Sequence, residues 1–330
     1  MTYTRGESQA LGVGVESARG TKVAPQEWVR LREPADINKE LEKTEIQETK
    51  QTGVSSHDSV ITSQMVNGTL TPNLRFETIG FFLKSLLGGL SSAVEGGETV
   101  VYRHTFTLDA TVLQPTLTLA NARGGLQHKS VAGVVVNQMG LTFPLDDVIN
   151  GTIGIMGLDE VNETDYTPAF ASNDYLAPHQ MVTIKMASDV AGLGGASAIC
   201  VTGAELSLNR NSRAKQCLSS VTPVDFFAKL LEGSGKFTWE KDADTYKDLA
   251  EANTPQALQI EVVNTNQNIG VGSNPTLTIV LPKVTLSVQE SRPLDDIITE
   301  DVNFMLHYDD DEASAITIDL VNERADYTPA

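Results

Sequence analysis

Histidine is the side chain most often used for acid–base catalysis and zinc binding, and this 330-residue chain has five of them. They are scattered along the sequence and none stands at zinc-motif spacing: His57, His104, His128, His179 and His307. A Ser-His-Asp triad can assemble across a fold, so the sequence leaves that arrangement open, although no nucleophile-elbow motif supports it. We expect core or surface histidines.

Paired carboxylates are the second candidate for acid–base chemistry. Asp146-Asp147 and Asp295-Asp296 each follow Pro-Leu between two predicted strands. Asp favours turns because its side chain bonds nearby backbone groups. A single active site would not need to occur twice, so the repeated Pro-Leu-Asp-Asp indicates a role in the fold.

Two further motifs are weak. The run Asp-Asp-Asp-Glu at 309–312 lacks the alternation and the glycine of a calcium loop, and predicts a solvated acidic turn. Gly12-Val13-Gly14 is not followed by the residues of a phosphate-binding loop. We therefore predict no catalytic, cofactor-binding or metal-binding residue, and a protein that is not an enzyme.

The clearest pattern is an internal repeat. Residues 132–156 align with residues 281–305 at an offset of 149, sharing Pro-Leu-Asp-Asp and the final methionine. Residues 81–88 (FFLKSLLG) align with residues 226–233 (FFAKLLEG) at an offset of 145. Because both matches keep the same order at nearly the same offset, the sequence predicts a tandem duplication of one domain.

Each copy has one predicted helix. Phe76 to Leu87 places apolar residues at i, i+3, i+4 spacing, and Gly88 follows as a C-cap. In the second copy, Thr222 is a candidate N-cap for a helix over 223–232. The remaining segments alternate apolar and polar residues, and we predict Cys200 and Cys217 within strands.

The predicted fold class is therefore mainly β, with two tandem β-sandwich or barrel domains, each with one flanking α-helix. The first domain covers 1–158 and includes an extended N-terminal arm over 1–25. It also includes a long charged hairpin or loop over 36–66, with Asn67-Gly68 as a hairpin turn signal. A linker at 159–180 leads to the second domain at 181–330.

The charge is strongly negative and unevenly divided. The net charge is −19, of which residues 1–157 carry −3 and residues 158–330 carry −16. A protein that binds nucleic acid by its phosphates needs cations, so this class is disfavoured. No run of 18 apolar residues and no signal peptide is visible, and two cysteines fit a reduced compartment.

Several segments, taken in order, resemble the major tail tube proteins of long-tailed, siphovirus-like bacteriophages. The opening run from Gly14 to Pro25 resembles the start of that family, and FETIGFFLKSLLG resembles its single helix. The stretch VVVNQMGLTFPLDDVINGTIGIMG resembles its core hairpin. The resemblance covers residues 10–158 well and residues 198–321 more loosely, and order and spacing carry it.

The resemblance implies a structural virion protein, made in the host cytoplasm, that stacks as rings into the tail tube. Its expected partners are copies of itself, other tail proteins, and genome DNA that passes through the lumen without specific binding; no membrane is involved. Because one chain holds two domains, we expect a trimeric, pseudo-hexameric ring, with a true hexamer as the alternative. We also expect a net negative lumen to which the second half contributes more.

Two other kinds of protein remain open from the sequence. One is another tail component of the same fold, a terminator or baseplate hub protein, although a terminator would more often be one short domain. The other is a cell-surface β-sandwich adhesin, which would need a secretion signal.

Overall fold

The chain is mainly β, with 52% of its residues in strands. The structure is a computed structural model that describes residues 5–49, 53, 55–56, 58–111, 113–293 and 297–329. The high strand content confirms the prediction that the fold is mainly β, while the division into two tandem domains stays a prediction.

The first half contains ten strands and one helix of nine residues in the described part of the chain. In chain order they are β1 (Gln9–Val15), β2 (Glu27–Val29), β3 (Asp36–Ile46), β4 (Asp58–Leu70), α1 (Ile79–Leu87), β5 (Gly88–Val94), β6 (Tyr102–Leu108), β7 (Leu117–Arg123), β8 (His128–Phe143), β9 (Asn150–Gly157) and β10 (Asp159–Glu163).

The second half contains ten strands and two short helices in the same described part. In chain order they are β11 (Val182–Ala187), α2 (Val190–Leu193), β12 (Ala198–Ile199), β13 (Val201–Asn209), β14 (Arg213–Lys215), β15 (Asp225–Phe227), β16 (Glu232–Glu240), α3 (Thr245–Glu251), β17 (Gln256–Val263), β18 (Thr276–Ser291), β19 (Thr299–His307) and β20 (Thr317–Asn322). Short 3-10 turns at Gly6–Ser8 and His179–Met181 precede β1 and β11.

The two halves follow the same order of antiparallel ladders. In the first half, β3, β4, β9 and β8 are neighbours, and β8 continues to β7, β1 and β2 with β10 on its other side. In the second half, β13, β16, β19 and β18 are neighbours, and β18 continues to β17, β11 and β12 with β20 on its other side. A duplicated domain would produce this correspondence, while the boundaries at 158 and 181 stay a prediction.

Among the described residues, two ladders join the halves. Strand β13 lies on the C-terminal part of β8, and β20 lies on β6. Buried side chains from both halves form one hydrophobic cluster, which includes Phe82, Leu141, Leu206 and Phe304. Non-local strand pairing therefore holds the chain together.

Helix α1 is where the sequence predicts it, although regular helix begins at Ile79 rather than Phe76. Of its nine residues only Lys84 is not buried, so the helix is enclosed rather than lying on a surface. Gly88 ends it with φ at 89°, a left-handed conformation that suits glycine. The Nζ of Lys84 donates a hydrogen bond to the Gly88 carbonyl at 2.6 Å, which satisfies a terminal acceptor.

The predicted second helix over 223–232 is wrong. That segment contains β15, which pairs with β14, followed by irregular chain. Phe226 is buried while Leu230 is 84% exposed, so the apolar residues of the helical pattern do not share one environment. An ion pair between Arg19 and Asp225 fixes the segment against the first half. Tertiary contacts therefore override local propensity.

The helix that corresponds to α1 by position is α3. It follows β16 and precedes β17, as α1 follows β4 and precedes β7, and it packs on β18 as α1 packs on β8. Its sequence, TYKDLAE, shares little with that of α1.

Three smaller predictions are also wrong. Residues 9–15 of the predicted arm form β1, which pairs with β2 and β7 and whose Leu11, Val13 and Val15 are buried. Asn67-Gly68 lies inside β4 rather than in a turn, because the β3–β4 ladder extends to the pair formed by residues 46 and 58. Cys200 and Cys217 are exposed and lie just outside strands.

Candidate assembly surfaces

Eight strands form one continuous layer across both halves, in the order β3, β4, β9, β8, β13, β16, β19, β18. One face of this layer packs on the core, because successive side chains of a strand point to opposite faces. The other face, which we call the polar face, carries mostly small or uncharged side chains. Its members include Asn38, Asn67, Thr152, Gln138, Gly140, Thr142, Ser207, Ser234, Lys236, Asn303, Thr285 and Ser287.

Two grooves of about 510 Å³ each lie along the polar face. One is lined in the second half by residues such as Ser207, Lys236 and Asn303. The other is lined in the first half by residues such as Asn38 and Asn67. The polar face is therefore concave in both halves.

The charge on the polar face is small. On this face Asp36, Glu40 and Glu42 give −3 from the first half. In the second half Glu205, Glu232, Glu240 and Asp301 are negative and Lys236 and Lys283 are positive, giving −2. Little of the second half's net charge of −16 lies on this face.

The layer ends in two open edges. Strand β3 has β4 as its one ladder neighbour in the described part of the chain. The segment Lys283–Ser291 of β18 likewise has only β19 beside it among the described residues. An unpaired edge presents a row of backbone donors and acceptors, which is a template for pairing with another strand.

The layer also has two rims, where the strands end. The β3–β4 hairpin extends past β9 at the first rim, since β9 pairs only with residues 66–70 of β4. The segment 210–231, between β13 and β16, lies at the same rim. Apolar side chains are exposed on both segments: Leu41, Val60, Ile61, Leu218, Val221, Val224 and Leu230. At the second rim, the turns after β8 and β18 expose Leu145, Ile297 and Ile298.

The first pair of candidate carboxylates lies in a turn. Asp146 has φ at 63° and a side chain 87% exposed. The Asp147 carboxylate accepts a hydrogen bond from the Val148 amide at 2.8 Å. Nε2 of His179 is 3.8 Å from the Asp146 carboxylate, at the surface. This is turn chemistry at the second rim; Asp295 and Asp296 lie outside the described residues.

Each of the described histidines has a local hydrogen-bond partner. His104 is buried between the Ser92 hydroxyl and the Arg324 carbonyl, both at 2.8 Å, and burial lowers the pKa of its imidazole. Nδ1 of His128 accepts from the Arg123 amide. Nε2 of His307 lies 2.7 Å from the Thr285 hydroxyl. These contacts assemble no triad; His57 lies outside the described residues.

The other two motifs have structural surroundings as well. In the run 309–312, the Asp309 carboxylate accepts from the amides of Asp311 and Glu312, which closes an exposed turn. Gly12 and Gly14 lie in β1, where an added Cβ would come within 2.7 Å of Pro25 and 2.6 Å of the Ala24 carbonyl. Close backbone approach therefore accounts for these glycines.

Sequence reasoning missed a buried carboxylate at Glu16. One of its oxygens accepts from the Thr116 hydroxyl and the Gly20 amide, and the other from the Thr118 hydroxyl and the Gly133 amide, at 2.6–2.8 Å. Four donors offset the cost of burying the charge. Glu16 ties the loop after β1 to β7 and β8.

A charged cluster lies beneath the open edge of β18. Nζ of Lys241 is 2.7 Å from Asp244, 3.1 Å from Glu290 and 3.3 Å from the fully buried Glu300. Hydrogen bonds from Arg292 and Lys241 lower the pKa of Glu290 to about 2. Hydrogen bonds to the carboxylates of Asp244, Glu290 and Glu300, of which that to Asp244 has the largest effect, raise the pKa of Lys241 above its ordinary value. The cluster fixes β18 against the start of α3.

In the described part of the chain, no three His, Cys, Asp or Glu side chains are placed to hold a metal ion. No described helix has the length and apolar character needed to cross a membrane.

A mainly β chain with a concave polar face and two open strand edges has the architecture of a self-assembling structural protein. The family described as phage tail tube protein matches residues 6–305, and the chain belongs to that family. It is therefore a component of the virion tail. No curated protein matches the chain significantly.

Proposed function

We propose that this protein polymerises as stacked rings into the tail tube through which the genome is ejected. The observation that carries the proposal is the eight-stranded layer with a concave polar face and an open strand at each end. Joining such layers edge to edge pairs the open strands β3 and β18 of every layer, as ring closure requires.

The polar face would line the lumen. Uncharged hydroxyl and amide groups predominate on it, with a small negative excess. DNA phosphates find few cations there, so the double helix can slide without adhering.

Three chains per ring fit the two-fold internal repeat. Three layers of eight strands give twenty-four strands, and at about 4.8 Å per strand the circumference is at least ~115 Å. The backbone diameter is then at least ~37 Å, which leaves a channel rather than a packed core. A ring of six chains is the alternative.

The two rims would contact neighbouring rings. The first rim exposes apolar residues of the β3–β4 hairpin and the second exposes Leu145 and Ile297. Burying such residues against the next ring stabilises the stack.

Electron microscopy and native mass spectrometry of the purified protein test the proposal. Uniform tubes or rings are expected, with three chains per ring. A protein that stays monomeric at high concentration would contradict tube formation, and six chains per ring would contradict the trimer.

Replacing residues 44–60 by Asn-Gly tests the stacking role. Lys43 and Ile61 are paired, so a two-residue turn can close the shortened hairpin. We expect rings that no longer stack into long tubes. Leu126→Ser, in the exposed turn between β7 and β8 and outside the rim segments named above, is the control and should leave tubes intact. Long tubes from the shortened protein would place the stacking contact elsewhere.

A further inference from the structure

The ladder between β8 and β13 has no counterpart among the residues that the structure describes. Strand β13 lies on the C-terminal part of β8, with Leu206 opposite Leu141 and Asn209 opposite Gln138. The ladder order makes β18 the counterpart of β8 and β3 the counterpart of β13. In the described part of the chain, the edges of β18 and β3 that would repeat this ladder are the two open ones.

Ladder positions define which residues of β8 and β18 correspond. Gln138 lies opposite Gly154, and Ser287 lies opposite Asn303. Residues 154 and 303 differ by 149, the offset of the sequence repeat, so Gln138 and Ser287 are equivalent.

The same procedure relates β3 to β13. The repeated methionines of β9 and β19 lie opposite Asn67 and Ser234. These two residues lie in turn opposite Asn38 and Ser207. Asn38 is therefore the equivalent of Ser207.

We propose that β18 of one chain pairs antiparallel with β3 of a second copy, in the register that β8 and β13 adopt within the chain. The inference rests on the proposed function and specifies its ring contact. Because Gly140 lies opposite Ser207, Gln289 of one chain is expected opposite Asn38 of the next. Repetition of this contact is head-to-tail and closes a ring.

The side chains suit this register. On the polar face Asn38 meets Gln289 and Glu40 meets Ser287, and all four side chains are exposed in the single chain. On the core face Lys39 meets Val288, which the lysine stem can cover. No like charges stand opposite each other at these positions, which favours the pairing.

Cysteine cross-linking tests the register in a Cys200→Ser, Cys217→Ser background, which removes both native thiols. The test pair is Asn38→Cys with Gln289→Cys, because opposed strand residues are within disulfide range. Asn38→Cys with Thr285→Cys is the register control, four residues away on the same face. Gly140→Cys with Ser207→Cys is the internal control and should close within one chain.

After oxidation, the test pair is expected to give covalent dimers and trimers on a non-reducing gel. Each single variant and the register control should stay monomeric. Tubes that form without cross-links from the test pair would overturn the inference and leave the proposed function standing. Dimers from Asn38→Cys alone would also overturn it, because β3 would then pair with itself.

If the background protein forms no rings, the proposed function is wrong, and the gel still decides the strand pairing. Cross-linked dimers of the test pair would then support the pairing of β18 with β3. Monomers alone would overturn it.

Discussion

Glu77 shows how one buried residue links the first half to the C-terminal segment. Its carboxylate accepts from the Glu323 amide at 3.0 Å, and its carbonyl accepts from the Tyr327 hydroxyl at 2.8 Å. Tyr327 is fully buried against Gly80, where an added Cβ would lie 2.3 Å from the ring. Burial raises the pKa of Glu77 to about 7 and that of Asp174 to about 6.

These raised pKa values predict a pH-dependent stability. The folded protein binds the Glu77 proton more tightly than the unfolded chain, whose carboxyl has a pKa near 4.5. Stabilisation is therefore full below about pH 4.5 and is lost as the pH rises through about 7. The difference between the two pKa values of Glu77 corresponds to a decrease in the free energy of unfolding on the order of 3 kcal/mol across this pH range.

Glu77→Gln should remove most of this pH dependence, because a neutral amide cannot ionise. We expect the Tm of the variant to fall less between pH 5 and pH 8 than that of the wild type. Glu42→Gln, an exposed position, is the control and should behave as wild type. Equal pH dependence of Glu77→Gln and wild type would mean that Glu77 is not the group responsible.

At the scale of elements, two similar sequence patterns reach different structures. FFLKSLLG forms most of the enclosed helix α1 and its C-cap, whereas FFAKLLEG forms the end of β15, irregular chain and the start of β16. Leu83 in the first is 1% exposed, and Leu230 in the second is 84% exposed. The same substitution should therefore lower the stability of the protein strongly at Leu83 and hardly at all at Leu230.

Leu83→Asp should unfold the protein or cost several kcal/mol of stability, because it places a carboxylate in an apolar core. Leu230→Asp should leave the Tm within a degree or two of wild type, because surface substitutions are usually near neutral. Thermal unfolding by circular dichroism measures both. A strong loss with Leu230→Asp would indicate that residues 223–232 are helical after all.

At the scale of the whole molecule, the proposed lumen is weakly negative. The polar face carries −3 from the first half and −2 from the second, so it does not favour the expectation that the second half dominates the charge of the channel. A small negative excess still keeps phosphates from adhering.

Glu205→Lys with Asp301→Lys would change the summed charge of residues 205, 236 and 301, which lie near one another on this face, from −1 to +3 per chain. We expect variant tubes to retain short duplex DNA at low salt, in a nuclease-resistant form, and to release it as salt rises. Asp310→Lys with Glu312→Lys, on the exposed turn after β19, is the control, and DNA that it binds should be cleaved. Cleavage of DNA bound by the first variant would mean that the polar face lies outside the tube.

The sequence by itself determined the features that depend on local periodicity and on repetition. The alternation in residues 131–141, the helical spacing around Leu83 and the C-cap at Gly88 each identify an element, and all three are found in the structure. The 149-residue offset relates β9 to β19 without any coordinates. The order of these segments also led to the family to which the chain belongs.

Only the tertiary structure decided which strands are neighbours and which helix is the counterpart of α1. Phe226 is buried and Asp225 forms an ion pair with Arg19. These contacts favour strand β15 where the local sequence predicts a helix. The ladder between β8 and β13, and the open edges of β3 and β18, depend on residues far apart in the chain. Backbone hydrogen bonding between strands is common to all residue types, so strand neighbours leave little trace in local sequence.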